Sequence, residues 1–419
     1  MSEPIVVVDC DCMTALGLDL ETTWRAMVAN RSGVRSVTRF VPAAERLQGL
    51  EKLQYAAELP ATYEELAGSP AALEKWQNPA HHATVALVSR VLKRIRYEPS
   101  DHDSHRVALL GATVLGAPHS RDVLGRTGSA DSKFILNQCA NIPLAVAASQ
   151  HGIKGPSFSV SSACASSGHA ILIASQLIQS GLLDCALVVA TEFPISPSLL
   201  GGLDWIGAVY RRDSERDRAY DDPSASSRPL SPDRRGFVLA EGAGVVLLAS
   251  ASYAERHRWP RAAVLRGGYA NSDADHLTRV SIPNVLHCVR RALESARCAP
   301  EDVDCINAHA TSTPVGDKCE IVALSELFGR RLERVPVVAN KSQLGHSLGA
   351  ATMLAFVCAV KALRTGVIPP TLNYVVDAGL PPAFVPARSQ AHPHQTTVVS
   401  SFGFGGTNIC LVLGAGAAE

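Results

Sequence analysis

Along the chain, short dense apolar runs alternate with longer stretches in which apolar residues recur every three or four positions. The first kind predicts buried strands and the second helices packed on one face. Strands are predicted at Ile5–Val8, Val107–Ala112, Phe158–Val160, Cys185–Thr191 and Val245–Ala249, then at Ala262–Arg266, Val303–Ala308, Val335–Ala339, Thr397–Ser401 and Ile409–Leu413. Helices are predicted over Leu20–Ala29, His81–Ile95, Lys133–Gln150, Ala170–Ile178, Pro283–Arg297, Asp317–Phe328 and Ala350–Leu363. Gly152 stops one of them, and Gly181 sits where a helix C-terminus wants a left-handed residue. Residues 41–78 are irregular and read as a surface excursion. Asp204–Leu230, crowded with Arg211, Arg212, Arg216, Arg218, Asp221 and Asp222, reads as a solvated loop or a docking surface. Strands interleaved with helices in both halves imply a layered α/β architecture with helices on both faces of the sheets.

The two halves also echo one another. Cys164 is followed by Gly168-His169, and Lys341 is followed at the same spacing by Gly345-His346, each between a β-rich run and an apolar helix. Duplication of one α/β unit would leave such a trace.

Composition narrows the function classes. Lys plus Arg equal Asp plus Glu at 39 each, which argues against a nucleic-acid binder or a polybasic membrane protein. The eleven cysteines form no cluster with metal-ligand spacing, and Cys10 and Cys12 are too close to make a site alone. The first residues lack the basic start and cleavage site of a signal peptide, and no apolar run approaches about 18 residues. A cytoplasmic protein with free thiols and no membrane span is therefore expected.

Four constellations carry candidate chemistry. Ser161-Ser162-Ala163-Cys164-Ala165-Ser166-Ser167-Gly168-His169 joins a strand to a helix, so Cys164 should occupy a tight turn at a helix N-terminus, where backbone N–H groups favour a thiolate. Asn307-Ala308-His309-Ala310-Thr311-Ser312-Thr313-Pro314 ends a strand in a histidine and a hydroxyl-rich turn. Asn340-Lys341-Ser342-Gln343-Leu344-Gly345-His346 puts an ammonium and an imidazole on one turn. Ser400-Ser401-Phe402-Gly403-Phe404-Gly405-Gly406 is too glycine-rich for plain packing and suits a backbone that moves or offers N–H groups to a ligand.

In their order and spacing these four motifs resemble the β-ketoacyl-acyl-carrier-protein synthases, the elongating condensing enzymes of the thiolase superfamily. The likeness runs over nearly the whole chain, from the Leu16-Gly17 turn and Ser32-Gly33-Val34 through Arg228-Pro229-Leu230 and Gly244 to Gly406. It implies a thiolase-like fold: duplicated five-stranded mixed-sheet halves in a layered αβαβα arrangement, residues 1–255 carrying the cysteine and 256–419 the histidines and lysine. It implies that Cys164 takes an acyl chain from acyl carrier protein as a thioester, with the backbone N–H groups of Cys164 and Phe404 as oxyanion hole. His309 and His346 would hold the thioester carbonyl of malonyl-acyl carrier protein as it loses carbon dioxide. Lys341 would be ordered by Glu320, with Asp317 as second candidate, as a support and not a proton shuttle. Thr311 and Thr313 would bind the phosphopantetheine arm. Phe404 would gate the acyl pocket within the substrate-binding loop of Phe402, Gly403 and Gly405, and His169 would be a packed helix residue.

The same resemblance implies no metal and no organic cofactor, a homodimer or a heterodimer with a related subunit, and an acidic carrier protein that Arg211 and Arg212 are candidates to meet. A chain-length-factor-like partner subunit is the alternative, and Cys164 counts against it, because such subunits typically lack the nucleophile. A thiolase would carry a second cysteine where the histidines stand. Ala310, where many members carry glycine, and the unusual Asn340–Leu344 lead into Gly345 leave the substrate and pathway open, with a tilt towards specialised fatty-acid or polyketide synthesis.

Overall fold

The computed structural model describes residues 3–40, 52–66, 76, 78–98, 103–116, 134–212, 222–275, 277 and 280–416. Stretches 41–51, 67–75 and 213–221, which belong to the excursion and the polar loop, lie outside them. Ten strands form one hydrogen-bonded array: β1 (Ile5–Met13), β2 (Val107–Ala112), β3 (Ser157–Val160), β4 (Cys185–Glu192), β5 (Gly242–Ser250), β6 (Ala263–Ser272), β7 (Cys305–Asn307), β8 (Val337–Val338), β9 (Thr396–Gly403) and β10 (Thr407–Ala415). Their spatial order is β8-β7-β9-β10-β6-β1-β5-β4-β2-β3.

That order contains the same five-stranded unit twice. From the junction outward one reads β1-β5-β4-β2-β3 on one side and β6-β10-β9-β7-β8 on the other, so each strand of the first unit has its counterpart five strands later. Pairing directions match as well. β2 lies parallel to β3 and β4, as β7 does to β8 and β9, and the remaining neighbours within each unit are antiparallel. The units meet where Ile5, Val6 and Val7 pair antiparallel with Leu265, Val264 and Ala263.

The principal helices are α1 (Leu20–Val28), α2 (Pro79–Arg94), α3 (Ile142–His151), α4 (Ser166–Gln179), α5 (Pro197–Trp205), α6 (Ile282–Ser295), α7 (Pro314–Phe328), α8 (Lys341–Leu344) and α9 (Ala351–Thr365). Helices α2 and α3 cover the outer face of the first unit, and α6 and α7 that of the second. Between the units, α4 and α9 pack on each other and on strands of both, completing an αβαβα stack. Strand alternation explains the three largest cores. Ile5 and Val7 face the central core with Ile171 and Phe356, whereas Val6 and Val8 face the outer one with Val85 and Leu87. In β10, Ile409 and Leu411 face the centre while Cys410 and Val412 face the far outer core with Val289 and Ile306. Both sheet faces are buried, so the strands read as continuous apolar runs and not as alternating ones.

Two predicted elements differ. The helix expected over Lys133–Gln150 is two pieces, Phe134–Gln138 and α3, because Pro143 near the start of α3 lacks the N–H that would continue the first piece. Leu348–Thr365 is, by length and composition, apolar enough to cross a membrane, contrary to the expectation from the sequence. It is α9 with the turn before it, 83% buried between the two units, and its apolarity is that of a helix enclosed on all sides.

Candidate active site

The four motifs converge because each follows the C-terminal end of a strand at the same face of the stack: Cys164 after β3, His309 after β7, Lys341 and His346 after β8, and Phe404 after β9. Ligand sites of parallel sheets form outside those ends. Topologically, Cys164 and Lys341 each stand between the third strand of a unit and its central helix, as the echo suggested. Locally they differ, for Gly168 lies inside α4 whereas Gly345 has φ +69 in a loop where a Cβ would come within 2.9 Å of Ala240 Cβ.

Cys164 sits on a strained elbow. Ala163 before it has φ +49, a left-handed conformation that costs an L-residue about 1–2 kcal/mol. The elbow is held by Thr352 Oγ1 and Ser401 Oγ, which donate to the Cys164 carbonyl at 2.9 and 3.0 Å. Gly403 approaches so closely that a Cβ would lie 3.0 Å from the Cys164 nitrogen and 2.7 Å from Thr407 Oγ1. This close approach brings the Phe404 N–H to the sulfur, where it favours the thiolate together with the N–H of Cys164 and the Lys341 ammonium. Burial nevertheless dominates and pushes the thiol up to about 11, with Glu192 adding to it. The thiolate expected from the helix terminus is therefore not the resting state, since Cys164 precedes α4 by two residues and is buried.

The sulfur lies 3.1 Å from Nε2 of His346. His346 is pinned by its backbone: its N–H donates to Val238 O at 2.7 Å and its carbonyl accepts from Ala240 N at 3.0 Å. Phe237 packs edge-on against its ring, with centroids 4.9 Å apart. The Phe237–Gly244 segment thus holds the histidine. His309 stands 5.6 Å from His346 between ring centroids, and its Nδ1 lies 3.1 Å from Ser401 Oγ. The sulfur and one nitrogen of each ring fall within 4.8 Å of one another. Burial and the Lys341 charge push both imidazoles well below their ordinary value, so both are neutral near pH 7.

Lys341 and Glu320 do not form a direct ion pair; they bracket one peptide group. Nζ of Lys341 donates to the His309 carbonyl at 2.5 Å, while Glu320 accepts the N–H of the same peptide, that of Ala310, at 2.7 Å. Glu320 also accepts the N–H of His309 at 2.8 Å and the hydroxyl of Ser400 at 2.7 Å. Burial lowers Lys341 to about 8, partly offset by Glu320, Cys164 and Asp317. Asp317 accepts N–H groups from Thr311, Ser312, Thr313 and Leu230, so it shapes the threonine turn.

A cavity of about 330 Å³ opens onto these groups, lined by Cys164, His309, His346, Thr311, Thr313, Phe402, Gly403 and Phe404 among others. The Thr311 and Thr313 hydroxyls lie 3.0 Å apart on one wall. Phe402 is buried under His309, and Phe404 is 39% exposed. Gly405 is not part of the lining; its N–H donates to Leu277 O at 2.7 Å. His169 sits in α4 with Nδ1 near Ala165 O and Ser162 Oγ. Arg211 pairs with Asp204 at 3.2 Å, and Arg212 reaches Gln54 Oε1 at 3.1 Å.

Sequence reading missed three contributors. Ser400 and Ser401 were within a quoted motif, but nothing in it tells that their hydroxyls reach Glu320 and the Cys164 carbonyl. Trp205, 90% exposed and next in sequence to Ile206 of the cavity lining, stood inside the polar stretch Asp204–Leu230, whose arginines are its conspicuous feature.

Comparisons with known proteins identify the family and the fold. The family described as "Beta-ketoacyl synthase, N-terminal domain" matches residues 2–254, and "Beta-ketoacyl synthase, C-terminal domain" matches residues 262–375. The chain is 30% identical over 418 residues to 3-oxoacyl-[acyl-carrier-protein] synthase 2 of Coxiella burnetii, covering 98% of each protein. It is also 30% identical over 423 residues to a putative polyketide beta-ketoacyl synthase 1 of Streptomyces virginiae, covering 98% of this chain and 97% of that one. Its 37% identity to the chloroplastic 3-oxoacyl-[acyl-carrier-protein] synthase I of Arabidopsis thaliana spans 67% of this chain and 59% of the plant protein. Among solved structures, a beta-ketoacyl synthase from Burkholderia phymatum superimposes with a TM-score of 0.87 at 25% identity, covering 99% of both chains. AntDE:AntF, a type II PKS acyl-carrier protein in complex with its ketosynthase, shares the fold with a TM-score of 0.85 at 23% identity, covering 99% of this chain and 100% of that one. With both family domains matched in order over most of its length, the chain belongs to the β-ketoacyl synthase family.

Proposed function

We propose that the protein catalyses decarboxylative Claisen condensation of an acyl chain with malonyl-acyl carrier protein, in fatty-acid or polyketide synthesis. The observation that carries the reading is the convergence of one thiol and two neutral imidazoles on a single cavity, with Cys164 Sγ 3.1 Å from His346 Nε2. In the first step the sulfur attacks the acyl thioester. Its proton passes to Nε2 of His346 and leaves with the carrier's thiol. The developing oxyanion is met by the N–H groups of Cys164 and Phe404, the geometry that contributes most to acyl transfer.

Malonyl-acyl carrier protein then enters, its phosphopantetheine arm along Thr311 and Thr313. His309 and His346 donate ring N–H groups to its thioester carbonyl, His346 in the tautomer that carries its single proton on Nε2. Carbon dioxide leaves, the electron pair of the broken C–C bond forms an enolate, and its carbon attacks acyl-Cys164. Collapse expels the thiolate and releases a β-ketoacyl thioester two carbons longer. Lys341 and Glu320 hold the His309–Ala310 peptide between them, and their opposite charges fix the turn that aims the ring. Phe404 gates the acyl channel, its swing allowed by Gly403, Gly405 and Gly406. No metal or organic cofactor enters this reading.

Residues 1–255 and 256–419 serve as the two halves of the duplicated unit, a division the repeated strand order supports. The working assembly is a homodimer. β3 ends the ten-stranded array with Ser157 and Phe158 exposed, and Ile135 and Leu136 are exposed in the segment before it, whose Ala140 carbonyl accepts from Ser159 Oγ. An apolar free edge of this kind is normally covered. Acyl carrier protein docks at the rim of Ile206, Trp205 and Val315, with Arg211 and Arg212 adjacent in the chain. The thiols are all free, which suits the reducing cytoplasm.

The test is reconstitution with acyl- and malonyl-loaded carrier protein, read by mass spectrometry of the carrier. A β-ketoacyl carrier two carbons longer is expected from the protein alone. Product that appears only after adding a related synthase subunit would favour the heterodimer or chain-length-factor reading. No product under either condition, with the thioesters intact, overturns condensation.

A further inference from the structure

We propose that Glu192 is a positioning residue for the condensation: its carboxylate clamps the turn that follows His346 and places a negative charge behind Cys164. The inference rests on the reading of Cys164 and His346 given above. Glu192 is the last residue of β4 and is almost wholly buried. Its Oε2 accepts the N–H groups of Val114 at 2.9 Å and Gly349 at 3.0 Å, and its Oε1 accepts the Thr113 hydroxyl at 3.1 Å. The N–H of Leu115 contributes as well. The carboxylate thereby ties the end of β2 to the turn that carries His346 into α9.

That turn needs holding. Leu348 adopts φ +42, a left-handed conformation for a branched side chain, and persists only where its surroundings over-determine it. Gly349 is the residue that lets the carboxylate approach, since a Cβ there would lie 2.6 Å from Oε2. Among the described residues no cationic side chain hydrogen-bonds or ion-pairs with Glu192; its hydrogen-bond partners there are neutral donors. The charge is thus left uncompensated against the thiol, and it opposes thiolate formation while Lys341 promotes it. Burial raises Glu192 to about 7, so its charge changes within the working range. Cys164 faces three other titratable groups, Lys341, His309 and His346, which stay unchanged when Glu192 is altered.

Glu192→Gln keeps the shape: its amide oxygen can accept both N–H groups and its amide nitrogen can donate to Thr113 Oγ1. The experiment measures the rate of Cys164 alkylation by iodoacetamide from pH 6 to 9, followed on the Cys164 peptide. This readout needs no carrier protein, so it stands or fails separately from the condensation chemistry. Near pH 6 the wild type is protonated at Glu192, and the two proteins should react alike. Above pH 7 the variant should react about threefold to tenfold faster, the size of a half- to one-unit lowering of the thiol. If the Gln variant does not fold, Thr113→Val removes one donor to the carboxylate and should move the wild-type inflection to higher pH. Curves that coincide throughout, or that differ by one constant factor at every pH, overturn the proposal.

Discussion

Replacing Lys341 by methionine separates what the site costs from what it does. The ammonium is buried, and its fall from 10.5 to about 8 corresponds to about 3 kcal/mol against the charged form. Methionine removes that penalty but leaves the His309 carbonyl without the Lys341 hydrogen bond, which costs about 1–3 kcal/mol. Stability at pH 7 should therefore stay level or rise by up to about 2 kcal/mol, read by chemical denaturation. Below pH 8 the lysine is protonated whether folded or unfolded and the penalty is complete. Between pH 8 and 10.5 the unfolded chain binds more protons, so wild-type stability gains on the variant as pH rises. Activity should move the other way. Losing a charge-assisted bond of about 1.5–3 kcal/mol predicts malonyl decarboxylation about 10- to 100-fold slower. Cys164 should also acylate more slowly, because the Lys341 charge that favours its thiolate is gone. A variant that loses stability in step with activity, or that decarboxylates at the wild-type rate, would refute this account of Lys341.

Three further outcomes are expected. His309→Ala and His346→Ala should still acquire an acyl group, the second more slowly, but release no labelled carbon dioxide from malonyl-acyl carrier protein; release at the wild-type rate would remove them from the decarboxylation step. Gly403→Ala pushes the loop off Cys164 and should lower acylation about tenfold or more through a displaced Phe404 N–H, with Tm changed far less than by a core substitution. Arg211→Glu should raise KM for carrier-bound substrate and leave a small thioester mimic unaffected, and equal effects on both would exclude a docking role.

The architecture was legible because both faces of strands such as β1, β4 and β5 are buried. Runs such as Ile5–Val8 and Val245–Ala249 then announce strands without any alternation to interpret. Cys164, His309, Lys341 and His346 were legible because each follows such a run. What stayed hidden depends on contacts across the fold. Glu320 lies eleven residues after His309, and sequence alone cannot tell a direct ion pair with Lys341 from two groups that bracket one peptide. The thiol's resting state was misjudged for a related reason: the helix terminus is local and visible, while the burial that outweighs it is assembled from β3, β9 and α9. Glu192 gave no signal, since a lone acidic residue at a strand end is usually solvated, and only the packing of β2 and the Gly349 turn encloses it.

The central claim is that one sulfur receives the acyl chain. Intact-mass analysis after incubation with acyl-acyl carrier protein, followed by peptide mapping, tests it most directly among eleven free cysteines. A single adduct on the Cys164 peptide, absent in Cys164→Ala, is the expected result. An adduct that survives Cys164→Ala, or none in the wild type, would contradict it.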